Sequence, residues 1–447
     1  MLSGRLNYGK FREGGLSDSS MRNVKIRTHI VPFVTILIIL AASVAVIAYG
    51  RGYRPDFGQN IIKATGLLSV TSDPIGAQVY VDGKLKTATN NAFNIDPDWY
   101  TVRIVKEGYI AWEKKVRVQG EIVTRADAFL FPLNPSLSPV TSTGIENPVL
   151  SPDGTKIAYA TPVSSPVSNP SEKPGGLWVY ELVERPLGRN RDPRQIGVSE
   201  AGFDFSTATI VWSPDSTQIM ADNGREVRLY QSDRAAQYRD VSTTYQAFLN
   251  AWRTERQTKE LQKLAAFKQP IVDLATASAR IISFSPDESK ILYEATAAAT
   301  IPPVIDPPLI GTNSTEETRK IELGNIYMYD SHEDKNYFVL KQGELPDTMP
   351  TPSPRRATGQ RQTPRISDGI VPSPRIYWFP TSRHLVLPLE GKIDIMEYDR
   401  TNWITVYSGP FVDSFIAPWP TGSRIIIVTN LNPDASTLPN LYTVNLR

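Results

Sequence analysis

LSPDGTKIAYA, residues 150–160, is a proline turn that leads directly into an apolar strand, and its core recurs along the chain. The further copies are Trp212-Ser213-Pro214-Asp215, Phe284-Ser285-Pro286-Asp287, Trp378-Phe379-Pro380-Thr381 and Pro418-Trp419-Pro420-Thr421, with the first copy centred on Leu150-Ser151-Pro152-Asp153-Gly154. In each, an aliphatic residue follows the proline by five: Ile157, Ile219, Ile291, Leu385 and Ile425. A third strand comes after each pair: LWVYEL from 177, VRLYQ from 227, NIYMYD from 325, KIDIMEYD from 392 and LYTVNL from 441. Proline fixes φ, while Asp and Gly tolerate turn geometry, so the unit suits a tight hairpin. A single such sheet cannot bury both faces, whereas several sheets packed radially can.

The Ser-Pro-Asp-Gly unit resembles the TolB-like and WD40-like β-propeller repeats of bacterial envelope proteins. That resemblance implies a propeller of about five blades over 133–447. The fourth and fifth copies have lost the Asp, which leaves their turn geometry open. The last copy ends at its third strand, so a fourth strand is expected from about Leu133–Thr143, closing the ring. A sixth, degenerate blade within 232–279 is the alternative count. The repeat prolines are unevenly spaced (152, 214, 286, 380, 420), and insertions at 161–176, 297–323, 343–374 and 430–440 account for this. These read as disordered decoration or as a binding rim. The insertion 243–267 instead reads as a helix, with Phe248, Trp252, Leu261, Leu264 and Phe267 at broadly helical spacing. It is expected to cover the propeller locally, with partner docking as the second reading.

Upstream, residues 66–132 are β-like. LLSVTS alternates, Asp73-Pro74-Ile75-Gly76-Ala77 is a turn, and QVYVDGK runs into Asp82-Gly83, a hairpin signal. About five short strands and no helix are expected, as in a small sandwich. The stretch resembles the PEGA domain family through Ser72-Asp73-Pro74-Ile75-Gly76-Ala77, Val79-Tyr80-Val81-Asp82-Gly83 and Gly108-Tyr109. The resemblance implies a non-catalytic β-sandwich of prokaryotic surface proteins and names no ligand.

At the N-terminus, residues 28–50 carry no charge of the Asp, Glu, Lys or Arg type, and eleven of the twenty residues from Val31 to Gly50 are Val, Ile, Leu or Phe. Those eleven favour insertion by about 3–6 kcal/mol, and twenty helical residues span about 30 Å. Residues 30–50 are therefore expected to cross a bilayer as one helix. A cleaved signal peptide, with Ser43-Val44-Ala45 as the processing site, is the rival. Arg5, Lys10, Arg12, Arg22, Lys25 and Arg27 precede the span, while Arg51, Arg54 and Lys63 follow it, which favours N-terminus inside. Residues 1–29 then form a disordered cytoplasmic tail and 51–65 a linker, with the bulk of the chain extracytoplasmic.

The chemistry that is missing shapes the functional expectation. With 48 basic and 46 acidic residues there is no basic excess of the kind that marks nucleic-acid binders. Cysteine is absent, which removes disulfides, thiolate metal sites and thiol nucleophiles. The sequence contains no nucleophile elbow, phosphate loop or zinc-protease motif. His29, His332 and His384 are the only histidines; Asp96/Asp98 and Glu316/Glu317 read as solvated charges and Ser151-Pro152-Asp153 as a turn. We therefore expect no catalytic, cofactor or metal site, and a membrane-anchored binding or scaffolding protein. Its partners would be the lipid bilayer through residues 30–50 and an envelope protein or cell-wall glycan, with no nucleic acid. A propeller hydrolase or lyase using carboxylates in the channel is the alternative, and an inward-signalling sensor a third.

Overall fold

A computed structural model describes residues 18–50, 53–56, 61–162, 175–184, 192–235, 237–344, 376–431 and 438–447. The insertions expected at 161–176 and 343–374 fall mostly outside these residues, as does the middle of 430–440. By internal contacts the chain divides into two units. One holds the chain up to Leu68 with Ala92–Asp98 and Val118–Thr124; the other holds Ser69–Asn91, Trp99–Arg117 and Arg125–Arg447.

The first unit opens with helix α1, Asp18–Gly50. It begins well inside the stretch expected to be a tail, because Asp18 to Arg27 contains no Gly or Pro to stop the helix. Its apolar part, Pro32–Gly50, has no buried residue. The expected linker contains a hairpin, Tyr53–Asp56 paired with Ile61–Ala64. Gly66 opens the next strand where a Cβ would lie 2.3 Å from Val118 and 2.4 Å from the Gln119 carbonyl oxygen, so only glycine fits.

Seven strands, rather than five, occupy residues 66–132. Lys84–Ala88, Gln78–Val81, Trp99–Val105 and Trp112–Arg117 form a four-stranded antiparallel sheet in that order. Asn91–Ile95, Gly66–Asp73 and Val123–Phe129 form a three-stranded one. The two strands missed by pattern, KLKTA and NAFNI, are mostly exposed and so carry no hydrophobic alternation.

In the second unit, the five sequence copies each become a four-stranded antiparallel sheet. Sheet one is Glu146–Leu150, Lys156–Thr161, Gly176–Glu181 and Arg194–Val198; sheet two is Thr209–Trp212, Gln218–Asp222, Val227–Gln231 and Tyr238–Asp240. Sheet three comprises Ala279–Phe284, Lys290–Ala295, Asn325–Asp330 and Lys335–Lys341, and sheet four Tyr377–Trp378, His384–Leu389, Lys392–Glu397 and Ile404–Ser408. Sheet five takes Ile416–Pro418, Arg424–Thr429 and Asn440–Asn445 from the chain end. Its fourth strand, Leu137–Pro139, comes from before sheet one and pairs antiparallel with Asn440–Asn445.

The repeated turn keeps one geometry. In all five copies the residue after the Asp or Thr sits at positive φ: Gly154, Ser216, Glu288, Ser382 and Gly422. Its N–H donates three residues back, to the carbonyls of Ser151, Ser213, Ser285, Phe379 and Trp419. Where Asp is present it accepts from the Ser two before and the residue two after, as Asp153 does from Ser151 (2.5 Å) and from the Thr155 N–H (3.1 Å). Losing Asp in copies four and five leaves the backbone turn intact, since those two bonds supplement it.

Shared cores join the sheets. Sheets one and two share Ala158, Leu177, Trp212 and Tyr230, three and four share Leu292, Met328, Leu385 and Met396, four and five share Val386, Ile395, Ile425 and Val444, and five and one share Trp419, Ile426, Ile157 and Tyr180. Between sheets two and three stand helices α2 (Tyr245–Leu264) and α3 (Gln269–Ser278). Leu249 and Trp252 of α2 pack on Val211, Met220 and Leu229 of sheet two. Leu264, Phe267, Ile271 and Ala275 pack on Ile291, Tyr293 and Tyr329 of sheet three. The single expected helix is thus a helical pair. Leu261, expected on its apolar face, is exposed.

Candidate functional site: a buried ionic junction

Strand Trp112–Arg117 alternates, with Trp112 and Val116 buried and Glu113, Lys115 and Arg117 exposed. That alternation puts Lys114 on the inward side, where a cation is out of place unless it is paired. Its ammonium lies 2.8 Å from Glu397 Oε2 and 2.5 Å from Asp399 Oδ2. Both carboxylates stand at the turn that ends strand Lys392–Glu397. The turn is closed by the Arg400 N–H donating to the Glu397 carbonyl and the Glu397 N–H donating to that of Thr401, both at 2.9 Å.

Neutral donors complete both carboxylates. Glu397 accepts from Trp112 Nε1, from Thr401 Oγ1 at 3.1 Å and from Asn402 Nδ2 at 3.2 Å. Asp399 accepts from Thr401 Oγ1 (2.6 Å), Asn313 Nδ2 (2.6 Å) and Thr315 Oγ1 (2.7 Å). The last two belong to the insertion 297–323, which is neither free decoration nor an open rim at this point. Two edge amides of the Lys114 strand are also occupied: the Glu113 N–H donates to Asn402 Oδ1 and the Arg117 N–H to Ser314 Oγ, both at 2.9 Å. Three segments distant in sequence therefore meet on one strand edge.

The electrostatics follow from burial and pairing. Burial lowers the Lys114 pKa, but Glu397 and Asp399 outweigh it and hold the amine above its ordinary value, so it is a fixed cation and no nucleophile. Burial raises Glu397, and Lys114 more than reverses this; Asp399 is likewise held well below the usual carboxylate range. The arrangement stores charge in fixed pairs and leaves no group poised to exchange a proton near neutrality.

His384, nearby in sheet four, is fully buried, and burial pushes its pKa down to about 4. Phe129, Phe131 and Phe379 pack around the neutral ring at 5.5–6.1 Å between centroids, and Nδ1 meets Thr381 Oγ1 at 3.0 Å. His332 is exposed, its N–H donating to Asp330 Oδ1. Asp96, Asp98 and Glu316 are exposed, and Glu317 pairs with Arg319 at 3.0 Å. Among the described residues no group of three or more His, Asp or Glu could hold a metal ion. The sequence reading passed over Lys114, Glu397 and Asp399. The available signal was a lysine at the inward phase of a strand.

Comparison with known proteins gives one domain. The PEGA domain model matches residues 65–133, so this part of the chain is a PEGA domain. No curated protein sequence matches the chain. Among solved structures, a protein from Agrobacterium tumefaciens provisionally described as TolB is 12% identical, over 66% of this chain and 76% of that one, with a TM-score of 0.21. A functionally unknown protein from Desulfotomaculum acetoxidans is also 12% identical, over 79% and 88%, with a TM-score of 0.20. At such scores neither likeness carries an argument about this chain.

Proposed function

We propose that this chain is a single-pass, membrane-anchored binding or scaffolding protein of the cell envelope, non-catalytic, whose bulk is extracytoplasmic. The observation that carries the reading is the order of parts: an apolar helix over Pro32–Gly50 with no buried residue, followed within fifteen residues by a PEGA domain. An unburied apolar helix of that length is stable in lipid and costly in water. The excess of Lys and Arg before the helix supports an inside N-terminus.

The five sheets of residues 137–447 form a β-propeller in this reading. Its support is the cycle of shared cores, with the helical pair standing where a further blade would, and the closing strand Leu137–Pro139. A ring held by a strand from each end of residues 137–447 makes a rigid platform, and loops on such a platform suit the capture of a protein or glycan partner. The ionic junction supports scaffolding over catalysis because it uses its charged groups to fix geometry.

Protease protection on intact spheroplasts, with tags at both termini, tests the topology. The C-terminal tag is expected to be lost and the N-terminal one to survive. Survival of the C-terminal tag in sealed cells would withdraw the envelope reading.

A further inference from the structure

We propose that the loop tip Asp306–Thr312 is a preformed tooth that docks into an apolar pocket with a basic rim on a protein partner. The inference rests on the binding reading above and names the element that binds. The tip belongs to the insertion between the second and third strands of sheet three. Its base is well anchored: Ala299–Thr300 pairs with Lys320–Ile321, and Ile301 and Ile321 are buried.

Both ends of the tip are fastened to one hairpin turn. The N–H groups of Val304 and Ile305 donate to Asp334 Oδ2 at 2.8 and 3.1 Å, and the Asn313 N–H donates to both Glu333 carboxylate oxygens at 3.1 Å. Asp334 is itself buried and held by the Tyr329 hydroxyl, which donates to Oδ1 at 2.9 Å. Lys335 Nζ donates to the Asn313 carbonyl. Between these fastenings the sequence is Asp306-Pro307-Pro308-Leu309-Ile310-Gly311-Thr312, and the two prolines fix φ.

At the summit Leu309 is 47% and Ile310 72% exposed. Two aliphatic side chains held outward on a short, pinned, proline-stiffened loop lose little conformational freedom on docking. Pre-organisation of that kind makes a small contact bind. The charge nearby selects the kind of partner. The tip itself carries one charge, exposed Asp306, and exposed Glu316 follows it, while Glu317 is paired with Arg319. An anionic bilayer surface repels such a loop, whereas a protein pocket rimmed by Lys or Arg complements it.

Photo-crosslinking in the full chain, in its native membranes, tests this. Benzoylphenylalanine is placed at Ile310, and at exposed Leu133 as the control surface. One discrete protein adduct is expected from position 310 and none from 133. Adding Leu309→Asp should lower the adduct about tenfold while the unfolding midpoint stays unchanged, and the partner recovered from it should bind the wild-type chain about tenfold more tightly than the variant. No adduct above the control, an adduct with lipid, or an adduct with a second copy of this chain each overturns the proposal. An adduct with a cytoplasmic protein keeps the tooth and removes the extracytoplasmic location instead.

Discussion

Replacing Lys114 by Met removes the one cation from a site holding two buried carboxylates. At 2.8 and 2.5 Å, and an effective dielectric of about 20, each attraction is worth roughly 6–7 kcal/mol before desolvation, which takes back several kcal/mol per ion. Breaking such a pair from one side typically costs about 3–5 kcal/mol, because the surviving charge stays buried. Here Thr401, Asn313, Thr315, Asn402 and Trp112 still donate to the carboxylates, so the cost should fall near the lower end, about 3 kcal/mol. Lys114→Met with Glu397→Gln and Asp399→Asn removes the charge altogether and should recover most of that loss. Hydrogen exchange at the Glu113 and Arg117 amides reads the junction locally, and urea unfolding reads it globally. The direction with pH also follows. Both carboxylates are depressed in the fold, so their contribution is present above the ordinary carboxylate range near 4 and is lost as pH falls through their lowered values. Lys114 is raised, so its contribution is present below its ordinary value of 10.5 and is lost only above its folded one. A Lys114→Met chain within about 1 kcal/mol of wild type, or a triple variant as weak as the single one, would refute the reasoning.

Two further outcomes are expected. His384 is neutral in the fold down to about pH 4 while the unfolded chain takes up its proton near 6.5, so stability should fall by about 3 kcal/mol as pH drops across that window. His384→Gln should flatten this part of the urea-midpoint profile, and an unchanged slope counts against a buried neutral imidazole. Leu441→Ala, in the strand that pairs with both Leu137–Pro139 and Arg424–Thr429, should cost about 2–5 kcal/mol in urea unfolding. It should also speed proteolysis near residues 133–143; normal resistance there would argue that Leu137–Pro139 does not depend on this strand.

Most of the sheet framework was legible because its signal is local. Five prolines, each followed by a buried aliphatic five residues on, mark turns whose φ > 0 residue and backbone bonds recur in the structure. The fourth strand of sheet five was legible by counting, since the last copy lacked one and unclaimed residues lay before the first. Two kinds of element escaped. Strands such as Lys84–Ala88 expose nearly every side chain, so they leave no alternation to read. The stretch 232–279 was open between helix and degenerate blade because Trp252 and Leu264 would be apolar in either. Only the packing of Leu249 and Trp252 on sheet two, and of Phe267 and Ile271 on sheet three, shows helices covering both faces.

The junction was illegible for a different reason, and that reason indicates what it does. Lys114 follows Glu113 and precedes Lys115 on a strand whose other charged residues face water, so its composition alone suggests a solvated edge. Its partners lie more than 280 residues away, and the Asn313 and Thr315 that share Asp399 come from an insertion of no clear pattern. A local sequence cannot announce an interaction whose members are brought together only by the completed fold. The same dependence makes the site a sensor of assembly. A buried ammonium without its carboxylates, or those carboxylates without Asn313 and Thr315, is worse than an apolar replacement, so the pairs favour the state in which all three segments are in place. An apolar seam would tolerate partial docking and slippage, whereas this one penalises every incomplete arrangement. That is the behaviour expected of a part that must hold these three segments in one orientation.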